Sequence, residues 1–155
     1  SGDLVCVTGR LGGSILGKHL NFIPRLKEGQ WIARYGASSM IDLSDGLWQD
    51  LGHLVECSKH QFVIDWDKIP IADAAKKLAR GNRDEAIARA LYDGEDFELL
   101  FTLAADRFRQ VERRWSRRFS VPLTVIGRVV RSSSSVERAL KPARIQRARR
   151  AFQHF

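Results

Sequence analysis

The chain has 155 residues, enough for one domain with its own core, and its 44 % hydrophobic and 28 % charged residues are typical of a globular protein. No apolar run approaches the roughly 18 residues of a membrane-spanning helix, and the opening residues lack the pattern of a signal peptide, so we expect neither. The net charge of +8 is concentrated after Arg107, where it could bind a polyanion, although no nucleic-acid recognition motif accompanies it.

The residue patterns alternate between strand and helix along the chain. In order, they predict a strand at 4–8, a short helix at 15–20, a loop at 21–29, a helix at 30–37, a buried strand at 40–43, a helix from Leu47 to beyond Val55, a strand at 61–66, helices at 72–80 and 83–92, a strand at 97–103, a helix at 105–119 and a strand at 123–130. This order lacks a strict βαβ rhythm, so it predicts an α+β fold, a mixed α/β sandwich. We expect one domain over 1–155, with a flexible serine-rich loop at 131–135.

The first candidate site lies where the strand at 40–43 joins the next helix. Asp42, Ser44 and Asp45 place two carboxylates and a hydroxyl within four residues. Two convergent carboxylates suit Mg²⁺, which prefers oxygen ligands, and a helix start offers free N–H groups to a phosphate. An ordinary helix cap formed by Ser44 or Asp45 would explain the same residues.

Two further segments are candidates for chemistry. Residues 93–98 carry four acidic side chains just before an apolar strand, and such close like charges favour a cation or a cationic ligand, or else an exposed acidic loop. Residues 9–14 are glycine-rich and resemble a phosphate-binding loop only weakly, so a plain turn is the simpler interpretation.

Single histidines and cysteines give weaker signals. His53 is expected to be a half-buried helix residue rather than a ligand or base. Cys6 and Cys57 lie in apolar patterns and are expected to be buried free thiols, since two cysteines make no disulfide framework. Reduced thiols suit the cytoplasm.

Taken in this order, the segments resemble the C-terminal half of the thiamine-monophosphate kinases, which belong to the aminoimidazole-ribonucleotide-synthetase-related superfamily. The resemblance covers nearly the whole chain. It depends most on Met40-Ile41-Asp42-Leu43-Ser44-Asp45-Gly46-Leu47 with the following Asp50-Leu51-Gly52-His53, and on Gly94-Glu95-Asp96-Phe97-Glu98-Leu99. Shorter matches are 2–9 with 12–14, Pro24-Arg25, Ile64-Asp65, Ile126-Gly127 and 152–155.

This resemblance implies the C-terminal domain of the aminoimidazole-ribonucleotide-synthetase-like fold and a reaction of thiamine biosynthesis, in which ATP phosphorylates thiamine phosphate to thiamine diphosphate. It implies that Asp42 and Asp45 bind Mg²⁺, that Ser44 contacts ATP, and that Glu95 and Phe152 contact the thiamine substrate. The residue types suit these roles. Phosphoryl transfer needs metal ions that neutralise phosphate charge, and a cationic thiazolium ring favours a carboxylate and an aromatic face.

The resemblance also implies what the chain does not contain. In the family, an N-terminal domain supplies a nucleotide loop, further Mg²⁺-binding aspartates and the dimer interface. We therefore expect a C-terminal part that is inactive alone, a homodimer for the full-length protein, and neither membrane nor nucleic-acid partners. Two alternatives stay open: another ATP-dependent enzyme of the same superfamily, and a basic nucleic-acid-binding module.

Overall fold

The computed structural model describes residues 1–58 and 60–131. Its strands are β1 (Leu4–Thr8), β2 (Ser39–Asp42), β3 (Gln61–Ile64), β4 (Leu99–Leu103) and β5 (Leu123–Val130). Its α-helices are α1 (Leu26–Arg34), α2 (Leu47–Ser58), α3 (Asp73–Leu78), α4 (Arg83–Tyr92) and α5 (Ala105–Arg118), with short 3₁₀ helices at Ser14–Leu16 and Trp66–Lys68. None of the helices in the described ranges is long and apolar enough to cross a membrane.

The five strands form one antiparallel sheet in the order β2-β4-β1-β5-β3. The first strand of the chain therefore lies at its centre, where Leu4 pairs with Leu103 on one side and with Arg128 on the other. Because β1 is covered on both faces, its sequence is a continuous apolar run rather than an alternating one.

Helices cover both faces of the sheet. One apolar cluster joins Val5 and Val7 to α2 and α4, and a second joins Cys6 to α1 and α5. Successive residues of a strand point to opposite faces, so the alternation along β1 assigns the two helical layers to opposite sides. The predicted α+β sandwich is confirmed.

The strands at 4–8 and 123–130 occur as predicted, and so do the inward residues of α5, which are Phe108, Val111 and Trp115. Two predicted starts were wrong. Helix α1 begins at Leu26 rather than at residue 30, because Gly29 lies inside the helix, on the side where an added Cβ would lie 3.5 Å from both Met40 and Leu99. Strand β4 begins at Leu99 rather than at 97, because Phe97 has a φ of +50°.

Two burial expectations were also wrong. Strand β2 is not buried: it is an edge strand of intermediate exposure, and its last residue, Asp42, is exposed. The thiol-bearing Cys57 is exposed on α2, whereas Cys6 is fully buried as expected. The predicted loop at 131–135, from residue 132 onward, and Phe152 lie outside the described residues.

Candidate active site

The two acidic motifs lie side by side at one end of the sheet. Strands β2 and β4 are antiparallel neighbours, and Asp42 pairs with Leu99. The pairing continues beyond the strands, because Leu43 N–H donates to the Glu98 carbonyl at 2.8 Å and Glu95 N–H donates to the Ser44 carbonyl at 2.7 Å. Residues 42–45 and 95–98, distant in sequence, therefore form one site.

Side chains of this site divide into an exposed set and a buried set. Asp42, Asp45 and Glu95 are exposed and Ser44 is of intermediate exposure, so all four can reach a ligand. Glu95 has a φ of +63°, a conformation that a non-glycine residue adopts at a cost and that turns the chain just before buried Asp96. The arrangement presents polar side chains on a rigid base.

The buried part of that base is a group of ion pairs centred on Glu98. Its carboxylate is 1 % exposed and accepts hydrogen bonds from Thr8 Oγ1 at 2.8 Å, from Lys18 Nζ at 3.0 Å, and from Arg25 Nε and Nη2 at 2.9 and 2.8 Å. Burial alone would raise the pKa of Glu98, but the hydrogen bonds from Arg25, Lys18 and Thr8 outweigh it and lower the pKa. The hydrogen bond with Glu98 likewise raises the pKa of Arg25. Glu98 thus ties three segments together as an ion.

Asp96 is equally buried but less well compensated. Its Oδ2 accepts a hydrogen bond from Gly12 N–H at 2.7 Å. Its Oδ1 lies 3.5 Å from Lys18 Nζ, whereas Glu98 Oε1 lies 3.0 Å from the same nitrogen. Burial raises the pKa of Asp96 to about 6, although the Gly12 bond and Lys18 act in the opposite direction. Asp96 is therefore a mainly structural carboxylate that titrates in the mildly acidic range.

In the glycine-rich loop at 9–14, two N–H groups are occupied by carboxylates, and those of Gly9 and Leu11 donate to backbone carbonyls. Gly12 N–H donates to Asp96, Gly13 N–H donates to Asp93 Oδ2 at 2.7 Å, and Ser14 Oγ donates to the Gly94 carbonyl at 2.6 Å. The weak resemblance to a phosphate-binding loop is thus not supported. The loop instead holds the acidic segment at 93–98 against the end of β1. Of the four acidic residues in that segment, Glu95 is exposed and the other three are partly or fully buried.

The start of α2 holds a third carboxylate that the sequence analysis did not select. Asp50 is 1 % exposed and accepts from Asp45 N–H at 3.1 Å, so it supports the turn, while burial raises its pKa. Ligand atoms of Asp45, Asp50 and His53 lie within 4.8 Å of one another. His53 is exposed on α2.

The donors at this turn fit a hard divalent cation. Asp42 and Asp45 offer exposed carboxylate oxygens, the ligand type that Mg²⁺ takes together with water and phosphate oxygens. Asp50 suits a supporting role better than a ligand role, because its Oδ2 already accepts a backbone hydrogen bond.

The residues that sequence reasoning missed are the buried supports. Lys18 carries no motif signal, whereas Thr8, Arg25 and Asp50 lie in matched segments but were not selected as site residues. A depression of about 670 Å³ lies elsewhere, along β3 and β5 near Val63 and Trp66, and Asp42, Ser44, Asp45 and Glu95 are not among its lining residues.

Comparison with known proteins places this site in context. No family model matches the chain. It is 35 % identical over 130 residues to the thiamine-monophosphate kinase of Rhodopirellula baltica. The matched region covers 83 % of this chain and 40 % of that relative. The thiamine-monophosphate kinase of Buchnera aphidicola subsp. Schizaphis graminum is 31 % identical, over the whole of this chain and 53 % of the relative. The chain therefore spans about half the length of the curated relatives it matches.

A solved structure shows the same relation. The crystal structure of thiamine-monophosphate kinase from Stenotrophomonas maltophilia K279a superposes with a TM-score of 0.74 at 31 % identity, covering 85 % of this chain and 48 % of that one. A structure described as AaThiL complexed with AMPPCP and TMP gives a TM-score of 0.71 at 28 % identity. The resemblance to the C-terminal half of this family is thereby confirmed.

Proposed function

Since this chain is homologous to the C-terminal portion of the thiamine-monophosphate kinases, we propose that it forms part of an enzyme that transfers a phosphoryl group from ATP to thiamine phosphate. The observation that carries the proposal is the convergence of Asp42, Ser44, Asp45 and Glu95 on one end of the sheet. The related structure with AMPPCP and TMP supports the choice of both substrates.

The proposed roles follow the chemistry of each side chain. Asp42 and Asp45 hold Mg²⁺, which neutralises phosphate charge when bound. Ser44 donates to ATP. Glu95 contacts the cationic thiazolium ring of the thiamine substrate, because a carboxylate favours a nearby positive charge. Phe152, outside the described residues, is proposed as the aromatic contact of that ring.

The remainder of the full-length enzyme is part of the same proposal. The chain covers 40 % to 53 % of the two relatives described above, so we propose that a preceding domain supplies the other nucleotide and metal contacts. We also propose a homodimeric full-length enzyme in the cytoplasm. This chain by itself is then expected to bind substrates weakly and to turn over none.

The test is the formation of thiamine diphosphate from ATP and thiamine phosphate, measured in the full-length protein and in this chain alone. Full-length protein should be active, and Asp45→Asn should lower kcat by about 100-fold or more, because preorganised charge is lost. The matched control is Asp106→Asn, an exposed aspartate on α5 remote from the site, which should keep normal activity.

Two results would contradict the proposal. One is a full-length protein that phosphorylates another metabolite and leaves thiamine phosphate unchanged, which would favour a different enzyme of the superfamily. The other is an Asp45→Asn variant as active as Asp106→Asn, which would remove the metal role from the turn before α2.

A further inference from the structure

A second concave surface lies on the opposite face of the sheet from α2. It is a depression of about 420 Å³ between one side of α1 and the last turn of α5. Its walls include the side chains of Lys27, Trp31, Arg34, Arg117, Arg118 and Phe119. Lys27, Trp31 and Arg34 recur at spacings of four and three, so they share one face of α1. The volume is within the usual range for small-ligand sites, about 300–1,000 Å³.

The depression concentrates positive charge without a matching negative charge. Within residues 1–58 and 60–131, four cations and no acidic residue line it, and no ion pair involves Lys27, Arg34 or Arg117. Residues 132–155 contain a single acid, Glu137, and six Lys or Arg residues, so the net charge of that segment is positive as well.

Helix electrostatics account for only part of this charge. Arg34, Arg117 and Arg118 stand in last turns, where cations interact favourably with the helix dipole. Lys27 stands in the first turn of α1, where a cation is unfavourable, and still lines the same depression. The convergence of all four therefore needs a reason beyond helix stability.

Aromatic rings form the floor and wall beside these cations. Trp31 and Phe119 are both of intermediate exposure, with ring centroids 5.5 Å apart in an edge-on arrangement. Buried Trp115 supports both rings at 5.8 and 4.6 Å, and its indole N–H donates to the Val121 carbonyl. The rings are thus held rigidly, each partly exposed to solvent.

We propose that this depression binds a nucleotide unit. The base stacks on Trp31, because Arg118 already lies over the Phe119 ring, 5.6 Å from its centroid. The phosphate is bound by Arg34 and Arg117, and a flat ring carrying an anion matches both features at once. A free nucleotide and a single-stranded nucleic acid offer the same chemistry. The site is independent of the proposed kinase function, since none of the residues that line the depression belongs to the group of Asp42, Ser44, Asp45 and Glu95.

The experiment is a titration of the chain with ADP in EDTA, and separately with an oligothymidylate of about 12 nucleotides, at low salt. Calorimetry measures the affinity, and NMR follows the indole N–H signals of the four tryptophans. The signal of Trp31 should shift, while those of Trp48 and Trp66, which pack in the opposite apolar cluster, should not. Binding should weaken steeply as salt rises.

Matched variants locate the ligand. Arg34→Ala and Arg117→Ala remove exposed side chains and should each weaken binding about tenfold. Arg109→Ala, an exposed arginine on α5 outside the depression, removes the same charge and should have little effect. Asp42→Asn should also leave the affinity unchanged, which separates this site from the proposed ATP site.

The outcomes are distinct. Binding of ADP with this variant pattern supports a free nucleotide as ligand, and binding of the oligonucleotide alone with the same pattern supports a nucleic acid. The proposal is overturned when neither probe shifts the Trp31 signal, when Arg109→Ala weakens binding as much as Arg117→Ala, or when Asp42→Asn abolishes it.

Discussion

Glu98 keeps a full charge in the protein interior because four donor atoms from three side chains surround its carboxylate. Removing a charge from water costs several kcal/mol, and hydrogen-bonded counter-ions recover that cost only when the geometry is good. Here Arg25 and Lys18 reach the two oxygens from a segment that has little apolar burial of its own, since Leu20 and Ile23 are 76 % and 72 % exposed. The ion pairs, together with the stacking of Phe22 on Phe97, hold the segment around 18–25 in place.

Glu98→Gln should therefore destabilise the protein strongly. The variant keeps the shape of the side chain but leaves Arg25 and Lys18 without their shared counter-ion, a kind of change that costs roughly 3–5 kcal/mol. Urea unfolding followed by tryptophan fluorescence measures the loss. Glu112→Gln, an exposed glutamate on α5, is the control, and an equal loss in both variants would contradict a special role for Glu98.

Asp96 predicts a pH dependence of opposite sign to that of Glu98. Its folded pKa of about 6 lies above the roughly 3.9 of an unfolded aspartate, so the folded state binds more protons, and stability falls as pH rises from about 4 to about 6. Asp96→Asn removes this dependence while its amide oxygen can still accept from Gly12 N–H. Its free energy of unfolding, relative to wild type, should rise by on the order of 2 kcal/mol between pH 4.5 and 7.5. A difference in unfolding free energy that stays constant with pH would show that burial does not raise the pKa of Asp96.

At the scale of elements, the glycine-rich loop is held by close backbone contact with two helices. A Cβ on Gly12 would lie 2.7 Å from the backbone of Arg89 and Ala90 in α4, and one on Gly13 would meet α3. Both glycines also have positive φ. The same close approach delivers their N–H groups to Asp96 and Asp93, so loop, helices and acidic segment depend on one another.

Gly12→Ala should accordingly lower the free energy of unfolding by more than the cost of a positive φ at alanine. Gly17→Ala is the control, because Gly17 also has a positive φ, of +120°, but nothing lies within 4 Å of its added Cβ. Positive φ costs about 1–2 kcal/mol in either variant, and overpacking adds about 1–3 kcal/mol at Gly12 only. Thermal unfolding by circular dichroism compares the two. Equal midpoints would mean that α4 moves aside freely.

Sequence reasoning was most reliable where periodicity was long and least reliable where a tertiary contact decides the backbone. Strand β5 and the apolar face of α5 followed from pattern alone. The start of β4 did not, because Phe97, an apolar residue that fits a strand, takes positive φ and stacks on Phe22 at 4.0 Å instead. In the site, motifs pointed to exposed Asp42 and Glu95, whereas Glu98 reads as one more acidic residue until Arg25 is seen beside it.

At the scale of the whole molecule, the sheet shields its centre from reagents on both sides. Cys6 lies in the central strand with no exposed surface, and burial raises the pKa of its thiol, which disfavours the reactive thiolate. Cys57 is exposed at the end of α2. The two thiols therefore report on two different events, surface access and global unfolding.

Reaction of the native protein with a thiol reagent should modify Cys57 and leave Cys6 free. Labelling of Cys6 should follow the rate of global unfolding and accelerate with urea, because no local opening exposes the middle strand of a sheet. Mass spectrometry of quenched samples gives both rates. The Cys57→Ser variant, with Cys6 as its remaining thiol, should be inert in native buffer, and rapid labelling of that variant would show that β1 opens locally.

The position of β1 has a consequence for synthesis of the chain. Among the five strands within residues 1–58 and 60–131, the central strand is made first, yet its partners β4 and β5 are made last, and no two of these strands that are adjacent in sequence pair with each other. Folding dominated by such distant contacts is slow, because the chain loses the entropy of closing long loops before contacts in the sheet stabilise it. A nascent chain exposes the unpaired edges of an apolar strand until Leu123–Val130 has left the ribosome. We therefore expect the chain to depend on chaperones more strongly when synthesis of β5 is slower.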